Sequence, residues 1–382
     1  MAKAQVLSGL DNLNLAHDKL FSKRVGLMTH PCGYDSNLQS GIDILSKNYK
    51  LTALFACEHG IRGTAQGGDH ISDETDPETG VPVYSLYGST RTPTSDMLKD
   101  VDVLVFDFQD VGARFYTYLY SMANAMIACA RDSKQMVVLD RINPIGGEIV
   151  HGTLLDENFH SFVGEYAVPT RYALTIGEFA LFVKDHLKLD IDLTVVPVTG
   201  WKRSMLWRDT NLTWTPPSPN MPTPETALVY PGTCIFEGTN LSEGRGTTTP
   251  FEVIGAPFID PAGLEARMRS MNLPGIGFMR ASFVPTFSKW AGEMCMGVRM
   301  YVQNAQADAF AAGLYLLEAI LDMYPQDAKF LGEDAGALAG INLLLGTSDF
   351  RTGKTDAKGL IDMHKPQIEE FKKQKTAWHI YA

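Results

Sequence analysis

Apolar runs too short and too aperiodic for helices, alternating with segments of helical periodicity, confine this chain to a small set of folds. Residues 23–29 (KRVGLMT), 51–57 (LTALFAC), 101–106 (VDVLVF), 136–139 and 193–198 read as buried strands. Helical spacing marks residues 37–48, where Leu38, Ile42 and Leu45 share one face, and residues 115–131. A further helix starts after Thr175, whose hydroxyl with Glu178 three residues on resembles a capping box, and runs to about Leu187. Strands and helices alternating in this way argue for a parallel, doubly wound sheet, so the fold class of the first half is α/β.

Each strand hands over to a polar cluster. Glu58, His59 and Arg62 follow residues 51–57, with Gly60, Gly63, Gly67 and Gly68 freeing the backbone between and beyond them. Asp107, Gln109, Asp110 and Arg114 follow the second run, and Asp140, Arg141 and Asn143 the third. Parallel neighbours would bring these clusters to one edge of the sheet, where open α/β sheets bind ligands. The plainer reading is that Glu58 and Arg62 pair with each other to pin a loop, and that the aspartates cap helices. The polar stretch 67–82 is too long for a routine connection and is a candidate lid or binding loop.

The composition changes at residues 201–224, which hold Trp201, Trp207, Trp214 and five prolines from Pro216 to Pro224. This places a first domain at 1–205, a Pro/Trp-rich linker at 206–226 and a second domain at 227–382. The tryptophan rings would either stack on sugar faces beside a cleft or seal the contact between domains. After the apolar run 229–236, with Cys234 in a strand-like setting, comes a second glycine loop at 237–249 carrying Glu237, Asn240, Glu243 and Arg245. That loop suits an anion or a polyhydroxylated ligand, or is a structural loop fixed by its own salt bridge. Thr249 interrupts a GxGxxG pattern and no Walker motif exists, so nucleotide binding has little support. Strands at 283–287 and 294–302, a helix at 307–323 and short closing helices make the smaller domain α+β.

Charge and motifs exclude several functions. A net charge of −11 over 382 residues, with no Lys/Arg block, argues against a nucleic-acid partner. Cys32, Cys57, Cys129, Cys234 and Cys295 have neither zinc nor disulfide spacing and read as buried thiols, with a reactive role the lesser alternative for Cys32 and Cys57 at strand ends. No signal-peptide h-region or membrane-spanning stretch is visible, so the expected location is cytoplasmic, or periplasmic or secreted if a leader has been removed. With no GxSxG, no HExxH and no close ligand pair, neither a metal nor a cofactor is expected. Carboxylate chemistry remains. Burial of Glu58 between Cys57 and His59 would raise its pKa toward the range of a general acid, and Arg62 would oppose the shift. Glycoside hydrolysis most often asks for this arrangement, one carboxylic acid and a second group opposite. From the residues alone, hydrolysis of a sugar-like substrate stands only a little ahead of plain sugar binding.

Five longer motifs carry a family resemblance: FACEHGIRG around Glu58, VFDFQDVGARFYTY from Val105, LDRINP around Asp140, PPSPNMPT around Asn220, and FEGTNLSEGRGTT from Phe236. Together they resemble the exo-β-N-acetylmuramidases of the NamZ type, glycoside hydrolase family 171, over nearly the whole chain from about Lys23. The resemblance implies a Rossmann-like N-terminal domain, a smaller C-terminal domain and a cleft between them. It also implies release of terminal N-acetylmuramic acid from the non-reducing end of peptidoglycan fragments. Glu58 is then the expected catalytic acid, with Asp107 and Asp110 the first candidates for the second catalytic group and Glu237 and Glu243 also open. The substrate's own 2-acetamido group could fill that role instead. Charge logic makes Arg62, Arg114 or Arg245 the partner of the lactyl carboxylate. His59, Gln109, Asp140, Arg141, Asn143, Glu237, Asn240 and Glu243 complete the expected substrate-binding set. Cys57 stands where relatives usually have Pro, and Thr29-His30-Pro31-Cys32-Gly33 replaces the commoner Thr-Asn-Pro-Thr-Gly. The rival functions are a muropeptide-binding protein without catalysis and a metal-dependent peptidoglycan amidase or deacetylase.

Overall fold

The computed structural model describes residues 3–57, 60–61, 74–87, 90–332 and 339–382. Glu58, His59 and Arg62, and the first part of the 67–82 loop, lie outside the described residues. Helix α1 (His17–Leu20) leads into β1 (Arg24–Thr29), followed by α2 (Gly41–Asn48), β2 (Lys50–Ala56), β3 (Glu74–Thr75), β4 (Pro82–Ser85) and β5 (Val103–Asp107). Helix α3 (Tyr118–Arg131) and β6 (Gln135–Leu139) come next. An antiparallel pair, β7 (His151–Leu154) and β8 (Pro169–Arg171), precedes α4 (Ile176–His186) and β9 (Leu193–Val196).

Seven of these strands form one sheet in the order β3-β4-β2-β1-β5-β6-β9. Every pair is parallel except β3 with β4. The alternation of side chains along β1 and β5 feeds two cores. Val25, Leu27, Val103 and Val105 face α1 and α2 on one side, while Met28, Leu104 and Phe106 face α3 and α4 on the other. Both faces are therefore covered, which is why the runs read as continuously apolar. Truncating a fully buried ring such as Phe106 to Ala removes roughly 3–5 kcal/mol of stability. The α/β class and the doubly wound order agree with the sequence.

The capping box also forms: Thr175 Oγ1 accepts from Glu178 N (3.2 Å) and Glu178 Oε2 accepts from Thr175 N (3.1 Å). Replacing such a cap by Ala costs about 1 kcal/mol. Helix α2 starts four residues later than the periodicity suggested, because Leu38 takes a positive φ of 61° and Ser40 caps the helix.

The second lobe comprises α5 (Pro224–Thr233), β10 (Val253–Ala256), α6 (Pro261–Ser270), β11 (Ile276–Phe283), β12 (Cys295–Val302), α7 (Ala309–Met323), α8 (Gly340–Leu345) and α9 (Ala357–Gln374). Its sheet is antiparallel, in the order β10-β12-β11. Helices α5 and α7 cross so closely that a Cβ on Gly313 would lie 1.9 Å from the carbonyl oxygen of Gly232. Only glycine fits there. This lobe is α+β, as expected, but three local readings are corrected. Residues 229–236 are helical rather than strand-like, running through α5 into a 3₁₀ turn at Cys234–Gly238. Thr223 caps α5 and Pro224 sits in its first turn, so the start signal was there while the apolar run itself was ambiguous. The strand expected at 283–287 is β11 and ends at Phe283. The chain does not close on short helices alone: α9 spans 18 residues.

The lobes share more than a linker. A separate apolar cluster joins Val111, Phe115 and Ile145 of the first lobe to Tyr230, Phe251 and Leu344 of the second. Helix α9 puts Leu360 into the core of the second lobe and Ile368 and Phe371 into the α3/α4 core of the first. Trp201 and Trp207 are buried against Val6, Ile142 and Val198, so they seal the first lobe and present no open ring to a sugar. Trp214 packs edge-on against Trp207.

Residues 375–382 dock back on the first lobe through buried polar groups. Asp140 accepts from the backbone N–H groups of Arg141 (2.9 Å) and Gly177 (2.7 Å), from Thr175 Oγ1 (2.7 Å) and from the Tyr381 hydroxyl. Glu178 pairs with Arg203 at 2.6 Å and accepts from Ile380 N. Burial pushes the Asp140 carboxyl up to about 7. A raised folded-state pKa means that the fold holds this proton more tightly than the unfolded chain, so the stabilisation is full below about pH 4 and is lost as pH rises toward 7. Asn cannot titrate. The stability loss in Asp140→Asn is therefore expected to be larger at pH 5 than at pH 8, measured by thermal or denaturant unfolding of both proteins at the two pH values; an equal loss at both would remove the buried proton from the account.

Candidate functional site

Strand order reverses between β1 and β5, so the loops leaving their carboxyl ends part and open a crevice. His30 follows β1 and Phe108 follows β5, and their rings lie 4.6 Å apart. Tyr118, at the start of α3, packs edge-on against both, and Tyr116 packs edge-on against Tyr118. This run of aromatic rings leads from the sheet edge to a cleft between the lobes.

The cleft has a volume of about 730 Å³. The first lobe contributes residues 115–118 and Val163, the linker Ser218, Asn220 and Met221, and the second lobe Tyr230, Glu237, Arg245, Phe251, Phe287 and Ser288. Size and mixed lining suit a small polar ligand. Glu237 and Arg245 are the ionisable pair of its wall. Arg245 Nη2 lies 2.5 Å from Glu237 Oε1, its Nε lies 3.3 Å from Glu243 Oε1, and its guanidinium carbon sits 5.0 Å from the Phe251 ring centre. Lys289 pairs with Glu243 at 2.7 Å. Glu243 is therefore a buried carboxylate held between two cations, whereas the Glu237 side chain remains 33% exposed. Burial raises the Glu237 pKa and Arg245 opposes the rise. Burial acts to lower the Arg245 pKa, but the carboxylates beside it, above all that of Glu237, together push it up, so the guanidinium stays charged.

The residues singled out in the sequence fall into four groups. Glu237 and Arg245 line the cleft, and Glu243 supports them from behind. Glu58, His59 and Arg62 lie outside the described residues. Asp107, Gln109 and Arg141 sit together elsewhere: Asp107 is fully buried in a two-point pair with Arg141 (2.6 and 2.9 Å), and Gln109 and Arg141 line a separate cavity of only about 40 Å³. The others carry structure. Asp110 accepts from the Tyr172 hydroxyl and from Gly112 N (2.6 Å), and burial pushes its pKa up to about 6. Asn143 bridges Leu174 O and Ile145 N, and Asn240 bridges Asp327 O and Lys329 N. Asp140 belongs to the network under the C-terminal segment. Arg114 is fully buried and donates to the carbonyls of Thr153 (2.7 Å), Val168 (3.1 Å) and Leu344 (2.8 Å), which leaves it no place as a ligand's partner.

Sequence reasoning gave no role to Asn220, Tyr116, Tyr118, Tyr230 or the 287–288 pair, all of which line the cleft. Asn220, Tyr116 and Tyr118 lay within quoted motifs, and that was the available signal. All five cysteines are free and buried, and burial pushes the thiols of Cys32 and Cys295 up to about 11 and that of Cys129 to about 12. Among the described residues no three His, Cys, Asp or Glu side chains converge as a metal site, and no helix is long and apolar enough to cross a membrane.

Comparison with known proteins accounts for the whole chain. Residues 25–225 match the family described as exo-β-N-acetylmuramidase NamZ, N-terminal, and residues 228–381 match its C-terminal counterpart. The chain is 46% identical over 386 residues to peptidoglycan β-N-acetylmuramidase NamZ of Bacillus subtilis (strain 168), covering 99% of this chain and 92% of that protein. Two crystal structures of DUF1343 family proteins from Bacteroides fragilis NCTC 9343 are similar. One has a TM-score of 0.92 at 34% identity over 100% of both chains; the other has a TM-score of 0.77 at 30% identity over 99% of both.

Arg114 separates structural from ligand-binding roles in a measurable way. Arg114→Met leaves three buried carbonyls without their donor, at a cost of about 1–3 kcal/mol each. The expected result is a large loss in denaturant-unfolding free energy with little change in KM once the variant is folded. A raised KM at wild-type stability would restore Arg114 to the substrate.

Proposed function

The chain belongs to the exo-β-N-acetylmuramidase NamZ family, and from that premise we propose that it is an exo-acting glycosidase releasing terminal N-acetylmuramic acid from the non-reducing end of peptidoglycan fragments. The observation that carries this reading is the 46% identity extending over 99% of the chain, through both lobes and hence through both walls of the cleft.

Glycosidic cleavage needs a proton on the leaving oxygen and a second group that meets the positive charge developing at the anomeric carbon. We assign the proton to Glu58, which follows Cys57 directly after β2 in the sequence. Glu58 gives its proton to the glycosidic oxygen as the bond to the anomeric carbon breaks, and water supplies hydroxide to that carbon and a proton back to Glu58. Of the carboxylates considered for the second role, Glu237 has the best support. It lines the cleft and is partly exposed, while Asp107, Asp110 and Glu243 are buried in bonds of their own. Arg245 binds Glu237 through Nη2, and its Nη1 has no protein acceptor among the described residues. That nitrogen is free to meet the lactyl carboxylate of the sugar in a charge-assisted bond.

The test is hydrolysis of a chromogenic β-glycoside of N-acetylmuramic acid, with circular dichroism to confirm folding. Glu58→Gln is expected to abolish release, and Glu237→Gln to lower kcat by about 10²-fold or more. Full activity in Glu58→Gln removes it from the mechanism. Calorimetric binding of a muropeptide to the wild-type protein without any product would favour a binding protein instead.

A further inference from the structure

A second cavity adjoins the cleft. It is an open groove of about 610 Å³ lined by Pro219, Gly246, Thr247, Thr248, Val284 and their neighbours, and it shares Asn220 and Phe287 with the cleft. The two spaces are therefore neighbours that share one asparagine and one phenylalanine as lining. Phe287 is 48% exposed, a large apolar ring left open to solvent at the boundary. Asn220 is the reverse: only 8% exposed, its side-chain amide has no hydrogen-bond partner among the described residues. The amide is not cut off from solvent, so it is a polar group offered to the two cavities that Asn220 lines.

The wall between them is fixed. Thr286 donates to Gly246 O through both its N–H and its hydroxyl, each at 2.9 Å. Lys289 binds the carbonyls of Phe236 and Thr239, and Trp290 Nε1 donates to Asn240 O at 2.6 Å. Ser288 and Trp290 take positive φ values of 70° and 59°, which L residues adopt only when their surroundings impose it. Between these tied-down neighbours the Phe287 ring stays exposed.

We propose that this groove is the leaving-group subsite, taking the N-acetylglucosamine unit beyond the scissile bond, with Asn220 and Phe287 straddling that bond. The assignment rests on the glycosidase reading above. Charge decides which space takes which sugar. The cleft holds the Glu237–Arg245 pair, which suits the anionic muramic acid and the acid–base chemistry, whereas the groove is lined by no titratable side chain among the described residues and suits the neutral sugar. The Phe287 ring offers a face for the apolar C–H surface of a pyranose, and the Asn220 amide offers two donors and an acceptor for hydroxyl or acetamido groups.

The experiment compares two substrates: the disaccharide of N-acetylmuramic acid β-linked to N-acetylglucosamine, and the 4-nitrophenyl β-glycoside of N-acetylmuramic acid. Thr248→Trp and Val284→Trp each put a bulky ring at the lining of the groove. Each is expected to lower the ratio of kcat/KM for the disaccharide to that for the aryl glycoside at least tenfold. Asn220→Ala, at the boundary, is expected to lower kcat/KM for both substrates. An unchanged ratio in both tryptophan variants, or full activity of Asn220→Ala on both substrates, overturns the assignment. A wild-type protein that releases sugar from neither substrate overturns the glycosidase reading itself and the groove with it.

Discussion

A guanidinium buried without a carboxylate must be surrounded by carbonyls, and the carbonyls chosen here decide how the two lobes sit. Arg114 reaches Thr153 O and Val168 O in the first lobe and Leu344 O in the second. Burial lowers its pKa to about 10, still far above neutrality, so the charge persists and each bond is charge-assisted. The apolar seam of Phe115, Tyr230 and Phe251 continues the same contact up to the cleft. Since the cleft is walled by both lobes, its width depends on that seam. A polar tie of this kind adds directionality that apolar contact alone lacks.

The same logic explains why the aspartates of the polar clusters after β5 and β6 are taken up by the protein itself. A strand buried on both faces delivers its last polar residues into a place with little water, where each must find a partner. Asp107 finds Arg141, Asp110 finds Tyr172 and Gly112 N, and Asp140 finds Thr175, Gly177 N and Tyr381. Burial raises the pKa of Asp110 and Asp140 because those partners are mostly neutral. The second glycine loop differs. It leaves a 3₁₀ turn that is buried except at Glu237, its carboxylates meet cations, and water can reach Glu237.

What could be read in the sequence follows from range. Local signals held: the buried strands, the Thr175 capping box and α7 depend on neighbours within a few residues, and all three stand in the structure. The salt bridge suggested for the 237–249 loop also formed, between Glu237 and Arg245, eight residues apart. Long-range matters were beyond reach. Nothing near Arg114 announces that Leu344 will accept from it 230 residues later, and so a buried tie looked like a ligand's arginine. Residues 229–236 misled for another reason, since an apolar run buried on all sides loses the periodicity that tells helix from strand. The tryptophans were ambiguous because composition shows that rings exist but not which way they face.

The distribution of charge along the inter-lobe surface ties these points to chemistry. Glu237 and Glu243 face Arg245 and Lys289, two anions against two cations, so the wall is close to neutral before a ligand arrives. Neutrality lets a carboxylate sit half-buried without the desolvation cost of an isolated charge. It also leaves the cluster able to respond, because Arg245 can share its guanidinium with a second anion through Nη1 without giving up Glu237. A substrate carboxylate bound there would draw positive charge away from Glu237 and strengthen that residue's hold on protons. The groove beyond Asn220 has no such cluster. One end of a bound disaccharide would thus be placed by charge and the other by shape and neutral hydrogen bonds, which orients the glycosidic bond across the boundary in a single direction.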